Sequence, residues 1–263
     1  IGRLYGMMYY VVSDGIGDMA KNAGTIENYL RFLEMDERKS ELDVKPEWGD
    51  ISLENVSFSY PNSEAYAVKN ANFTLMNGET IAIVGENGSG KSTLVRLITG
   101  LYLPESGTIT VNGVDTKVLS QKILYDNTTA VFQKYQRYQM TLEENITISQ
   151  NNKEYDESTL DNVCEAAGIN KEDTTFTDGY KTMLSREFGG VDLSGGQWQR
   201  IAVARGLFRD HNLIVLDEPT AAIDPYEETR IYNRFAEISK DKSAIIVTHR
   251  LGAAKIADRI IVM

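Results

Sequence analysis

Three things are scarce in this sequence of 263 residues, and each scarcity excludes something. There is a single cysteine, Cys164, so no disulfide can close within the chain, and a reducing compartment is the simple inference. Positive charge is in the minority: 27 Lys and Arg stand against 38 Asp and Glu, a formal charge of -11. Such a chain lacks the basic footprint with which proteins hold nucleic acid regardless of sequence. Long apolar runs are missing as well. A membrane-spanning helix needs about eighteen or more nearly uninterrupted apolar residues, and the nearest approach, Ile1–Val12, contains Arg3. No signal-peptide pattern is present. The chain opens on Ile1 and closes on what reads as an unfinished strand, so both ends are expected to continue into a longer polypeptide.

What is present centres on Gly85-Glu86-Asn87-Gly88-Ser89-Gly90-Lys91-Ser92. This is a G-x-x-x-x-G-K-S phosphate-binding loop. Thr80–Val84 before it is short and apolar and predicts a buried strand; Thr93–Ile98 after it predicts a helix start. Glycines let the backbone turn tightly and aim N–H groups at phosphate oxygens. The helix N-terminus adds partial positive charge, Lys91 supplies a mobile cation for the β- and γ-phosphates, and the Ser92 hydroxyl can ligate Mg²⁺. Thr93 completes the stretch expected to contact the nucleotide.

Upstream, Ile1, Leu4, Met8, Val11, Met19, Ala23, Ile26, Leu30 and Leu33 fall at three- and four-residue steps, one apolar face of a long helix. Residues 37–50 are charged, contain Pro46 and Gly49, and read as a linker. Ile51–Tyr60, Ala67–Leu75 and Gly107–Val114 read as strands, with turns at Asn77-Gly78 and Asn112-Gly113. Ala130–Phe132 is a short buried strand ending at Gln133. From about 141 to 200 the texture is polar and helical, without strong strand signals, and reads as an inserted helical subdomain. Leu213–Leu216 and Ala244–Thr248 are again buried strands, with a helix from Pro225 to about Ser239 between them and a last strand from Arg259. Strands alternating with helices describe an open α/β sheet, and ligands of such sheets bind beyond the strand C-terminal ends. Gly85, Gln133, Asp217 and His249 all fall at such ends.

Asp217 closes a strand and can hold Mg²⁺ opposite Ser92; the plainer alternative is an exposed acid at a strand end. Glu218 beside it is the candidate base for an attacking water, or a surface charge. His249 can hydrogen-bond a γ-phosphate, or simply cap and pack. His211, in a polar turn, reads as surface. Gln133 can contact the metal or water, though an isolated glutamine is weak evidence. Tyr60 can stack on a base or pack at a sheet edge, and the residues leave both open. Ser194-Gly195-Gly196-Gln197 places a hydroxyl and glycines at a second helix start. That is either an N-cap or a second phosphate site, serving a nucleotide held by another copy of the chain.

The loop at Gly85–Ser92, the run Leu193-Ser194-Gly195-Gly196-Gln197, the strand Leu213–Asp217 with Glu218, and His249 together resemble the nucleotide-binding domain of ABC transporters in order and spacing. The resemblance covers residues 51–263, with the C-terminal end of the domain not included. It implies an α/β fold: a P-loop NTPase (RecA-like) core, an antiparallel β subdomain and an inserted α-helical subdomain. Residues 1–36 resemble the cytoplasmic end of the last membrane helix in exporters whose membrane and nucleotide domains share one chain. By the same resemblance Tyr60 is the adenine-stacking aromatic, Gln133 a Q-loop glutamine, Asp224 the D-loop aspartate and His249 the switch histidine. Lys91, Glu218 and His249 are then the catalytic set, and ATP and Mg²⁺ the cofactors. Ala221-Ala222-Ile223-Asp224 departs from the usual Ser-Ala-Leu-Asp but keeps the aspartate. Ser185–Asp192, with Trp198, resembles bacterial peptide or lantibiotic exporters. The implied partners are a second copy, head to tail, and a membrane-spanning domain, with no nucleic acid; the implied place is the cytoplasmic face of the membrane. The competing expectation is a soluble ABC-type ATPase acting on nucleic acid, ribosomes or protein complexes, which would not need the apolar face of residues 1–36.

Overall fold

The computed structural model describes residues 2–35, 47–218, 235, 242–248 and 255–263. The chain divides into two compact units, residues 1–39 and 40–263. The first unit is a 32-residue helix, α1 (Gly2–Leu33). Along its described side chains the expected apolar face is exposed: Ile26, Leu30 and Leu33 are each more than half accessible. No helix among the described residues is long and apolar enough to cross a membrane.

The second unit holds two sheets. Strands β1 (Ile51–Ser59), β2 (Tyr66–Leu75), β4 (Ser106–Val111) and β5 (Val114–Asp115) form an antiparallel sheet in the order β2-β1-β4-β5. The β4–β5 hairpin turns at Asn112-Gly113, both at positive φ (49° and 78°), as an Asn-Gly dipeptide favours. The other sheet is parallel throughout. It comprises β3 (Thr80–Val84), β6 (Thr128–Val131), β7 (Leu213–Asp217), β8 (Ser243–Val247) and β9 (Arg259–Val262), ordered β6-β7-β8-β3-β9.

Helices α2 (Lys91–Ile98), α3 (Gln121–Asn127), α4 (Leu142–Thr147), α5 (Glu157–Ala166) and α6 (Gly195–Phe208) complete the described unit. The two-residue period of a strand decides how the sheet divides the interior. Leu213 and Val215 of β7, with Ile245 and Val247 of β8 and Ile81 and Ile83 of β3, pack with α2 and the antiparallel sheet. Their alternates, Ile214 and Leu216 with Ala244 and Ile246, pack with α4, α5 and α6. Strands covered on both faces must be apolar throughout, which is why β7 and β8 read as unbroken hydrophobic runs.

The helical region starts at Thr141, whose side chain and that of Glu144 cap α4 reciprocally. Two details depart from expectation. The segment Gln121–Asn127 forms α3, which no periodic pattern in the sequence announces. His211 is buried, at 6% exposure, with Nδ1 at 2.6 Å from the Arg209 carbonyl oxygen, not at the surface. Burial pushes its pKa down to about 4. The expected helix from Pro225, and with it Asp224 and His249, lies outside the described residues.

Candidate functional site

The strand order brings distant sequence to one edge. With β6, β7, β8 and β3 side by side and parallel, their C-terminal ends line up, so Gln133, Asp217 with Glu218, Thr248 and Gly85 meet along one rim. A cleft of ≈ 680 Å³ opens there. It is lined by Tyr60, Ala67, Asn87, Gly88, Gly90, Lys91, Ser92, Thr93, Gln133 and Glu218.

The loop between β3 and α2 is shaped by backbone that few side chains allow. Gly88 and Gly90 sit at φ 85° and 97°. A Cβ at Gly90 would run into the carbonyl oxygen of Ala67, so close approach as well as φ demands glycine. Lys91 is buried, at 6% exposure, and its ammonium donates to the carbonyls of Gly85 at 3.0 Å and Glu86 at 2.7 Å. The Ser89 hydroxyl oxygen is buried without a hydrogen-bond partner. A buried cation and an uncapped helix start at one cleft, with an orphan donor in the same loop, fit a polyanionic group.

Asp217 is 4% exposed, which removes the alternative of an exposed strand-end acid. Burial pushes its carboxyl up from the ordinary value and the Glu218 charge adds to the push; a hydrogen bond with Ser92 and the charges of Arg96 and Lys91 pull it back. A buried carboxylate bonded to a hydroxyl from the first turn of α2 is a fitting half-shell for a hard divalent cation. Among the described residues no group of three or more His, Cys, Asp or Glu is placed to hold a metal by itself. The residues present that would hold Mg²⁺ are Ser92 and Asp217, with Gln133 at the same rim.

Glu218 sits half-buried beside the cleft with its backbone at φ 50°, and Gln133 Nε2 donates to its carboxylate at 3.2 Å. The sequence singles out both residues; their contact is not visible there. Tyr60 packs edge-on against Phe58 and Tyr102, with ring centroids 5.2 and 5.8 Å away. Its hydroxyl accepts from Arg96 Nη1 at 3.0 Å and shares a hydrogen bond with Thr93 Oγ1 at 3.0 Å. It thus packs in an aromatic cluster at the end of β1 and lines the cleft at once. Arg96 is a site residue that sequence reasoning misses, because an arginine within a helix carries no signal of its target.

Ser194 does not line this cleft. It caps α6: its hydroxyl accepts from the Gln197 amide at 3.3 Å, and its own amide donates to Gln197 Oε1 at 2.9 Å. The Gly195 carbonyl accepts from Tyr135 at 2.8 Å. The capping alternative is therefore realised in this chain.

Three comparisons bear on this arrangement. The family model described as ABC transporter matches residues 68–221. The subtilin transport ATP-binding protein SpaT of Bacillus subtilis is 42% identical over 247 residues, which is 92% of this chain and 40% of that protein. The nisin transport ATP-binding protein NisT of Lactococcus lactis subsp. lactis is 38% identical, covering 82% of this chain and 36% of its own length. An ATP-dependent lipid A-core flippase of Vibrio parahaemolyticus is 35% identical over 88% of the chain and 39% of its own. Among solved structures, a bacterial Atm1-family ABC exporter with ATP bound superposes with a TM-score of 0.79 at 26% identity, covering 99% of this chain and 44% of that one. The chain thus spans about two fifths of the length of the curated relatives it matches.

Proposed function

Since the chain belongs to the ABC transporter family, we propose that it binds ATP with Mg²⁺ in the cleft at Gly85–Thr93, hydrolyses it, and drives export by an assembly that includes a membrane-spanning part. The observation that carries this reading is the convergence of Lys91, Ser92, Asp217, Glu218 and Gln133 on one rim from separate segments of the chain. Each has a task that its surroundings suit. Lys91 exchanges two backbone carbonyls for phosphate oxygens, gaining charge-assisted bonds that are about twice as strong as neutral ones. Ser92 and Asp217, joined by Gln133, would hold the metal, which would supply neutralisation of the charge that builds on the phosphates. Glu218 accepts the proton of the attacking water, and Gln133 keeps its carboxylate over the cleft until substrate arrives. Tyr60 offers a ring face to the base while its hydroxyl stays tied to α2. His249, on the γ-phosphate, and Asp224, at the junction between copies, belong to the same reading.

A second copy of the chain completes the site. Ser194, Gly195, Gly196 and Gln197 then face the nucleotide held by the partner's loop, which accounts for a phosphate-type helix start away from the cleft. Residues 1–36 lead in from the membrane part, residues 37–50 link, and residues 51–263 form the ATPase, which lies at the cytoplasmic face. The cargo is of the peptide or lantibiotic class, in line with the higher identity to the subtilin and nisin transport proteins than to the lipid A-core flippase.

The test is Glu218→Gln in the full-length protein. It should bind Mg-ATP like the parent yet turn over about 10²–10⁴-fold more slowly, the usual worth of a general base. A turnover near the parent's removes Glu218 from that role. ATP-dependent uptake of a labelled lantibiotic-type peptide into inverted membrane vesicles, lost in the same variant, tests the export reading.

A further inference from the structure

Three hydrogen bonds among the described residues bear on the placing of Glu218. Its carboxylate accepts from Gln133 at 3.2 Å, its amide donates to the Val247 carbonyl at 3.0 Å, and its own carbonyl accepts from Gln199 Nε2 at 3.3 Å. Between these anchors the backbone sits at φ 50°, a region that a residue with a Cβ occupies only under constraint. Relaxation of φ toward the common negative range would swing the Cβ, and the carboxylate with it, away from Gln133. Whatever fixes the peptide unit on the far side of Glu218 therefore also aims its carboxylate.

Gln199 is placed to do this. It is 3% exposed, on the buried side of α6, one turn past the cap at Ser194. Its neighbours Trp198, Ile201 and Ala202 fill the apolar interior, while its amide reaches across to the end of β7. Gln199 lies five positions beyond Ser194, about 7.5 Å of rise, and a 14-residue helix moves as a unit over that length.

We propose that Gln199 is a positioning residue for hydrolysis: by donating to the Glu218 carbonyl it maintains the left-handed turn after β7 and directs the carboxylate. It also ties α6, which opens at Ser194, to the reacting carboxylate of its own chain. A displacement of the helix start on a partner's nucleotide is then felt at Glu218. The inference rests on Glu218 being the base.

The test uses Gln199→Met, which keeps the volume and removes the donor, in the full-length protein. The kcat for ATP should fall about tenfold or more, roughly 1.4 kcal/mol of transition-state stabilisation, while Mg-ATP affinity stays within about threefold. In a Glu218→Gln background the same change should leave the residual rate as it was, because there is no base left to aim. A merely structural role for Gln199 would lower affinity and both rates together. Should Gln199→Met not fold, Gln199→Glu decides: an ionised side chain facing the carbonyl must slow turnover, and a parental rate overturns the proposal. Parental kcat in Gln199→Met, or an equal loss in both backgrounds, overturns it likewise. A parent that neither binds nor hydrolyses ATP would remove the proposed function and this inference with it, whereas an active parent with an indifferent Gln199 removes the inference alone.

Discussion

At the start of α2 the cap is Gly90, in left-handed backbone, and no side chain closes the first turn. At the start of α6 the cap is Ser194, and a reciprocal pair of hydrogen bonds with Gln197 closes it. Both helices begin with glycine and a hydroxyl, so their sequences look alike. Their chemistry differs. The first turn of α2 faces a cleft lined by a buried lysine, and its amides are left uncapped by any side chain. The first turn of α6 has satisfied an amide with its own serine, so its hydroxyl must share or release that bond to meet a phosphate. One helix start is left open toward a cleft; the other is closed by its own cap.

Lys91→Ala should break the first half of this comparison outright. The cleft loses its buried cation, and Mg-ATP affinity measured by calorimetry on the folded variant should drop at least about a hundredfold, roughly 2.7 kcal/mol. A change within about threefold would mean that the loop does not bind phosphate.

Ser194→Arg probes the second half. As homodimers, Lys91→Ala and Ser194→Arg should each be nearly inactive, since both composite sites are damaged. A mixed dimer gathers both lesions in one site and leaves the other whole. Random pairing at equal proportions leaves about a quarter of the parental sites intact, so part of the activity should return, with a maximum near that ratio. Co-assembly without recovery at any ratio counts against sites shared between copies; cross-linking between residue 194 of one copy and residue 89 of the other then shows whether one intact site is insufficient.

Ser194→Ala compares the two caps as structure. Removing a Ser cap costs about 0.5–2 kcal/mol, so urea unfolding without nucleotide should shift to lower concentration by an amount in that range. No shift would mean that the cap bond contributes nothing to α6. The smallest expected effect on stability is that of Asp217, at the end of β7 opposite Ser92. Asp217 is buried with its carboxyl pushed up, so at neutral pH its charge costs stability that returns as pH falls through its raised pKa. Asp217→Asn should therefore raise the melting temperature of the nucleotide-free protein at neutral pH and abolish Mg²⁺-dependent hydrolysis. A lower melting temperature would contradict the account of that carboxylate.

Several elements are legible in the sequence. Thr80–Val84, Leu213–Leu216 and Ala244–Val247 read as buried strands because parallel strands covered on both faces need apolar side chains at every position. The loop at Gly85–Ser92 is legible because its glycines answer to backbone angles and to a close approach that only glycine satisfies. Other features are not. The helix α3 buries only Leu124 and Asn127, too few to imprint a period. His211 follows Asp210 in a polar stretch and looks exposed, yet the turn tucks its ring inside and gives Nδ1 a carbonyl. The periodic face of α1 is legible as an apolar stripe, and within its own unit Ile26, Leu30 and Leu33 stand exposed.

The sequence by itself determined which strands are buried, where the phosphate loop turns, and which residue types are available at strand ends, because each of these is a local demand on volume, period or backbone angle. Only the tertiary structure decided that Gln133 holds Glu218, that Arg96 and Thr93 tie the Tyr60 hydroxyl, and that Gln199 reaches the Glu218 carbonyl. These bonds join residues 19 to 85 positions apart. A polar side chain carries no mark of its partner until strand order and helix packing set the two within about 3 Å.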